Sequence, residues 1–188
     1  MTIDSFSAIA YIVSSILFIL SLKGLSGPES SRRGNIFGIL AMIIAITTTM
    51  LQPQTSNIGL IFLGIIIGGV IGTAIALKIK MTAMPQLVAA FHSLVGIAAV
   101  LVAYTALIEP SSYGIGDVGS IKTASKIEMS LGAAIGAITF TGSIIAFGKL
   151  QGILTGAPLI FKGQHLINLL IGVGIFILIF LFVKSEDH

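Results

Sequence analysis

Residues 59–76 read GLIFLGIIIGGVIGTAIA, a run of eighteen residues without one charged side chain. A helix needs about 20 mostly apolar residues to cross the hydrocarbon core of a bilayer. Five other stretches of the chain meet this length or come close to it, so the sequence predicts an all-α, polytopic transmembrane helix bundle in one domain, residues 1–188. The six predicted spans are approximately residues 5–22, 35–51, 57–77, 85–107, 127–148 and 166–183.

The composition excludes a soluble enzyme. Hydrophobic residues make up 55% of the chain, charged residues only 9%, and the mean hydropathy is +1.09, whereas a soluble domain carries about a quarter charged residues. The chain has no cysteine, and His92 and His165 lie on different predicted helices while the third histidine is terminal His188. We therefore expect no metal site. A net charge of +3 is too small to indicate nucleic-acid binding.

Basic residues are distributed unequally between the loops on the two sides of the predicted bundle. The side with three, Lys122, Lys126 and Lys184, also carries acidic residues. The positive-inside rule therefore predicts that both termini lie on the non-cytoplasmic side. The seven basic residues of the opposite side are Lys23, Arg32, Arg33, Lys78, Lys80, Lys149 and Lys162.

Local signals mark several helix starts and packing faces. Asn35 and Asn57 are predicted N-caps, and Pro85 suits the first turn of a helix. A stripe formed by Gly64, Gly68 and Gly72 in the third span predicts close approach of a neighbouring helix and a compact bundle, which could also pack against helices of another chain. The same spacing recurs in the fifth span, at Gly132 and Gly136.

His92 is the most informative polar residue within a predicted span. Ionisable side chains are costly in a bilayer and usually mark ion or proton paths, and histidine readily changes its charge around neutral pH. At 1.5 Å per residue, His92 lies about 10 Å in from Pro85, and Ser143 lies about 9 Å in from Lys149. Both depths are counted from the same predicted membrane face, so the two residues share a level, with Thr139 and Thr141 nearby.

Two interpretations of these polar residues stay open on chemistry alone. His92 and the hydroxyl groups could hold a short chain of water molecules that conducts protons. Alternatively, a neutral imidazole is satisfied by a backbone carbonyl, and the serine and threonine hydroxyls bond back to their own helices. The residue pattern does not separate the two.

Three segments at helix–loop junctions resemble the membrane part of the beta subunit of the proton-translocating NAD(P) transhydrogenases. They are RRGN at residues 32–35, MTAMPQLVAAFHSLVG at residues 81–96 and TGSIIAFGKLQG at residues 141–152. The resemblance covers nearly the whole chain and is strongest between Leu20 and Pro158. It implies a component of an enzyme that couples hydride transfer between NAD(H) and NADP(H) to proton translocation.

The resemblance also implies site residues, cofactors and partners. His92 matches the family's channel histidine, and Ser143 matches a serine of the same path. NAD(H) and NADP(H) would bind to partner domains outside the bilayer, and none would bind to this chain. The implied partners are the transhydrogenase alpha subunit, the remaining beta-subunit spans and the NADP(H) domain. This dimeric assembly would lie in the cell inner membrane or its organellar equivalent, with the NADP(H) domain docked on the basic loops.

The sequence departs from the family pattern in its extent. The family's beta subunit has about nine spans followed by a Rossmann-like NADP(H) domain, whereas this sequence predicts six spans and contains no GxGxxG fingerprint after a strand. A split subunit, a fragment and an interrupted gene product are all open interpretations. The alternative function is a stand-alone small membrane scaffold or channel without redox coupling.

Overall fold

The computed structural model of the protein describes residues 3–53, 55 and 57–185. Each of its six long helices is long and apolar enough to cross a membrane, and the described residues contain no strand. The predicted all-α fold with six spans is therefore confirmed. The helices are α1 (Ile3–Leu25), α2 (Ser31–Met50), α3 (Ile58–Lys78), α4 (Met84–Ile108), α5 (Thr123–Leu150) and α6 (Gln164–Lys184).

Most helices extend beyond the predicted spans by a few residues, because the helical backbone continues past the apolar segment into polar residues. The N-cap prediction for Asn35 is wrong, since α2 already begins at Ser31. The turn before α2 is closed by Ser30, whose Oγ donates a hydrogen bond of 2.7 Å to the carbonyl of Gly24. With this turn in place, α2 begins about one turn before Asn35, and Arg32 lies in its first turn.

The other two predicted helix starts agree with the structure in position. Asn57 directly precedes α3, and its carbonyl accepts a hydrogen bond of 2.8 Å from the N–H of Leu60. Its φ of 57° lies in the left-handed region, which asparagine adopts more readily than most residues. Pro85 lies in the first turn of α4, where its missing N–H leaves no bond unmade.

The chain packs as two units, which meet in sequence at Gly68 and Gly69, within α3. In the first unit, small residues at seven-residue spacing hold α1 against α2. The Oγ of Ser14 donates a hydrogen bond of 2.8 Å across to the carbonyl of Ala41. Interfaces that are rich in small residues and contain hydrogen bonds between the helices are typical of membrane helix pairs. The buried stripe residues are Ser7, Ser14 and Ser21 on α1, and Gly34, Ala41 and Thr48 on α2.

Helix α3 buries none of its own residues. A Cβ atom added to Gly64, Gly68 or Gly72 would meet no atom of the described chain within 4 Å. The described chain therefore supplies no helix that packs closely on this stripe, and the predicted close approach is not found within it. Glycine permits close approach of a neighbouring helix but provides no attraction of its own, so the stripe packs only where a complementary helix faces it.

In the second unit, α4 and α5 run antiparallel and cross closely at Gly96 and Gly136. A Cβ atom on Gly136 would lie 2.7 Å from the carbonyl oxygen of Gly96. The predicted close approach in the fifth span is thus present at Gly136, although Gly132 meets nothing within 4 Å among the described residues. Helix α6 packs on α5 and buries no residue.

The connection between α4 and α5 is folded rather than extended. Pro110 is fully buried in it, and the hydroxyl groups of Thr105 and Tyr113 lie 2.8 Å apart. The backbone N–H of Lys122 donates to the carbonyl of Ile115 over 3.0 Å. These bonds anchor the connection to the last turn of α4 and lead directly into α5.

Candidate functional site

The site predicted around His92 lies on the α4–α5 pair. Helix α4 begins at Met84 and α5 ends at Leu150. At 1.5 Å per residue, His92 lies about 12 Å along α4 from its start, and Ser143 lies about 10 Å back along α5 from its end. The same count along the helix axis applies because both helices are uninterrupted over this range.

Two contacts fix the register of the pair. The side-chain Nε2 of Gln86 donates a hydrogen bond of 2.9 Å to the carbonyl of Leu150. A Cβ atom on Gly96 would lie 2.5 Å from the backbone N of Phe140, so these two positions are also opposite each other. Counting from either contact puts His92 opposite residue 144. The structure therefore brings His92 to the level of the adjacent Ser143.

The two side chains also lie near the contact face between the helices. Ser143 follows Gly136 by seven residues, about two helical turns, so it points in nearly the same direction toward α4, and it is half-buried. His92 precedes Gly96 by one turn and lies at the edge of the contact, where its side chain is exposed. Thr139, one turn before Ser143, is half-buried on the same side.

The hydroxyl groups of this region differ in whether they have a hydrogen-bond partner. Thr141 Oγ1 donates to the carbonyl of Ala137 over 2.8 Å, and Ser93 Oγ donates to the carbonyl of Ala90 over 2.8 Å. For these two residues the interpretation as hydroxyls bonded to their own helix is correct. The side chains of His92, Thr139 and Ser143 make no hydrogen bond to any residue within the described ranges. Their hydrogen-bonding capacity is unused by this chain.

The side chains of this arrangement can bind protons and water molecules. A polar group in a low-dielectric environment is costly unless it has a hydrogen-bond partner, and a water molecule typically binds two to four polar groups. The imidazole and the two hydroxyls of Thr139 and Ser143 supply both donors and acceptors. Among residues 3–53, 55 and 57–185, no three His, Cys, Asp or Glu residues come close enough to hold a metal ion.

Sequence reasoning missed two features that position this region and its neighbour. Gln86 was not among the predicted site residues, although a glutamine in the first turn of a span can reach the free carbonyls at the end of an antiparallel helix. Sequence reasoning also overlooked the serines at positions 7, 14 and 21, whose seven-residue spacing is visible in the sequence. That spacing is a signal for one continuous helix face.

Comparison with known proteins identifies the family. A sequence model of the NAD(P) transhydrogenase beta subunit matches residues 7–188. An NAD(P) transhydrogenase subunit beta from Rhodospirillum rubrum is 60% identical over 161 residues, which cover 86% of this chain and 35% of that protein. A second subunit beta, from a culture-collection strain of the same organism, matches with the same identity and coverage. This chain thus spans about a third of the length of these relatives. It belongs to the NAD(P) transhydrogenase beta-subunit family.

Proposed function

We propose that this chain is the proton-conducting membrane part of a proton-translocating NAD(P) transhydrogenase, in which His92 carries the proton and Ser143 lies beside it on the path. The observation that carries the proposal is the α4–α5 register. It brings an imidazole and a hydroxyl to the same level, and both have unused hydrogen-bonding capacity. The second hydroxyl, that of Thr139, extends the polar edge by one turn.

The chemistry proposed for these residues is reversible proton binding. A neutral imidazole accepts a proton at one ring nitrogen and donates the proton on the other, and the hydroxyls of Ser143 and Thr139 relay protons through bound water. Because His92 is exposed at the edge of the α4–α5 contact, its charged form needs a further polar partner. We assign that partner to the remaining beta-subunit spans, which complete the path.

Coupling to hydride transfer would act through the helix ends. NAD(H) and NADP(H) supply the hydride chemistry on partner domains outside the membrane, and this chain binds neither. Lys149 Nζ donates to the carbonyl of Ala157 over 3.0 Å, and Gln86 holds the last carbonyl of α5. In this proposal a change of charge at His92 shifts α4, the Gln86–Leu150 bond passes that shift to the end of α5, and the loop over residues 151–163 then alters the docking of the NADP(H) domain.

The same proposal includes the assembly and its location. The partners are the transhydrogenase alpha subunit, the remaining beta-subunit spans and the NADP(H) domain, in a dimeric complex of the inner membrane. Mild-detergent purification of this chain from its native membranes, followed by mass spectrometry, tests this part. Recovery of a polypeptide with an NADP-type Rossmann domain is expected. Recovery of the chain alone would favour the alternative of a stand-alone scaffold or channel.

The functional test is His92→Ala in the assembled enzyme, reconstituted into vesicles in which hydride transfer and internal acidification are recorded together. We expect acidification to be lost. The matched control is His165→Ala, which changes a histidine in the first turn of α6, outside the α4–α5 site, and should leave pumping intact. Full coupling between hydride transfer and acidification in His92→Ala would contradict the proposed role.

A further inference from the structure

The contact between α4 and α5 has two edges. On one edge α6 packs against α5, and an apolar groove of about 440 Å³ lies between α4, α5 and α6, with Tyr104 and Ala133 in its lining. Around α4, His92 lies about 120° from Tyr104, as counted at 100° per residue. Around α5, Thr139 lies about 120° from Ala133 by the same count. In each helix the contact glycine lies between the two residues, so His92 and Thr139 share the other edge, away from α6.

One carboxylate continues this polar edge along α5. Glu128 precedes Thr139 by eleven residues, close to three whole turns, so the two side chains point only about 20° apart and lie about 16 Å apart along the axis. Two residues lie between them on the same line. Ile135 is exposed, and a Cβ atom added to Gly132 would meet nothing within 4 Å in the described chain. The described chain thus leaves room for water beside Gly132.

The register of the two helices places Glu128 at the far end of the polar edge from His92. Counting from the contact between Gln86 and Leu150 puts Glu128 opposite residue 108, the last residue of α4. His92 lies about 24 Å back along α4 from that residue. The edge therefore carries an imidazole and two hydroxyls toward one membrane face and a carboxylate at the other.

The carboxylate of Glu128 has no partner within the described ranges. Its side chain is exposed and makes no hydrogen bond or ion pair there. Lys126 points about 160° away from it around α5 and donates to the carbonyl of Ser185. Glu109 lies at a similar level but about 140° around α4 from Gly96, so it points away from the contact. The other charged or titratable side chains at this membrane face, among the described residues of the second unit, are Tyr104, Tyr113, Asp117, Lys122 and Lys184.

We propose that Glu128 exchanges protons with water at this membrane face and that the polar edge connects it with His92. The carboxylate takes up one proton from water, and the carboxylic acid releases that proton to water molecules beside Gly132 and Thr139, which restores the carboxylate. The step is reversible and involves no electron transfer. Chains of acidic and histidine side chains form the proton relays of membrane pumps. This inference rests on the proposed function of His92 and Ser143.

The test is Glu128→Gln in the assembled enzyme, reconstituted into vesicles in which hydride transfer and acidification are recorded together. We expect acidification to fall about 100-fold, the lower end of what a positioned proton donor and acceptor contributes. Glu128→Asp keeps a carboxyl group and should keep most of the rate. The matched control is Glu109→Gln, which removes the same charge at a similar level from a different face and should pump like the parent. The unfolding midpoint should not change in Glu128→Gln, because the side chain is exposed and unbonded in the described chain.

The outcomes separate this inference from the proposed function. Equal acidification in Glu128→Gln and Glu109→Gln would make Glu128 a solvated charge at the membrane boundary and would overturn the inference. If His92→Ala loses acidification while Glu128→Gln keeps it, only the role of Glu128 is contradicted. Full coupling in His92→Ala would instead contradict the proposed function itself.

A second measurement tests for water between Glu128 and Thr139. The chain has no cysteine, so Gly132→Cys gives it a single thiol. A water-soluble maleimide should label this chain in Gly132→Cys. It should not label Leu131→Cys, whose thiol lies at the same depth but about 100° around α5. Absence of labelling in Gly132→Cys would overturn the connection between Glu128 and His92.

Discussion

The carbonyl oxygen of Gly136 occupies the space that a side chain on Gly96 would enter. A Cβ atom on Gly96 would lie 2.8 Å from this oxygen and 2.5 Å from the backbone N of Phe140. Both are backbone atoms, so the helices themselves would have to separate to admit even a methyl group. The close crossing of α4 and α5 depends on these glycines, and the crossing sets the level of His92 relative to Ser143.

Gly96→Ala should therefore destabilise the α4–α5 pair. Overpacking of this kind costs about 1–3 kcal/mol, which we expect to see as a lower midpoint of unfolding in detergent. Gly132→Ala is the matched control, because a Cβ atom there meets nothing within 4 Å in the described chain. It should be neutral or slightly stabilising, since alanine has the higher helix propensity. Equal midpoints for the two variants would show that the crossing is not tight.

Gln86→Leu should loosen the ends of α4 and α5 at the same membrane face. Leucine has a similar size but cannot donate to the carbonyl of Leu150, so one hydrogen bond worth about 0.5–1.5 kcal/mol is lost. Amide hydrogen exchange in the last turn of α5 should become faster. The control is Gln151→Leu, because Gln151 is a nearby exposed glutamine whose side chain makes no hydrogen bond among the described residues. Amide hydrogen exchange in the last turn of α5 should be the same in this variant as in the parent chain.

The α1–α2 pair offers a direct comparison of two neighbouring serines. Ser14 donates across the interface to Ala41, whereas Ser15 donates over 2.8 Å to the carbonyl of Tyr11 in its own helix. Ser14→Ala should lower stability by about 0.6 kcal/mol, the average for an interhelical hydrogen bond in a membrane protein. Ser15→Ala should change it less. Unfolding in detergent measures both, and a larger loss for Ser15→Ala would contradict the assigned interface.

Ser143→Ala should slow proton translocation in the assembled enzyme without unfolding it. One lost hydrogen bond of ~1 kcal/mol on the path corresponds to a reduction of about fivefold. Thr141→Ala, two residues away, removes a hydroxyl that is bonded to its own helix, so its rate should stay near that of the parent. Vesicle acidification is the measurement. Similar rates for Ser143→Ala and the parent enzyme would remove Ser143 from the path.

Much of the fold and part of the site follow from composition and spacing. Within a bilayer, the backbone N–H and C=O groups of a long apolar segment must bond to each other, which a helix achieves within one segment. The six spans were therefore predictable from apolar segments such as residues 59–76. The shared level of His92 and Ser143 was predictable too. Depth along a straight helix depends only on residue count, and no helix break intervenes near Pro85 or Lys149.

Identical sequence patterns nevertheless behaved differently in the tertiary structure. Gly64, Gly68 and Gly72 have the spacing of a packing stripe and meet nothing within the described chain, whereas Gly136 lies against the backbone of Gly96. Thr141 and Ser143 look alike in sequence, yet only Thr141 is bonded to its own helix. Spacing along one helix defines a face, but which helix lies against that face depends on contacts between distant residues.

The sequence by itself therefore determined the membrane class, the number of spans and the depth of each polar residue, because these depend on local hydrophobicity and on a fixed rise per residue. Only the tertiary structure decided the register of α4 against α5 and the groove beside α6. It also decided which hydroxyls near His92 remain unbonded. These features arise from close backbone approach at Gly96 and from single hydrogen bonds such as that of Gln86, whose partners lie far away in sequence.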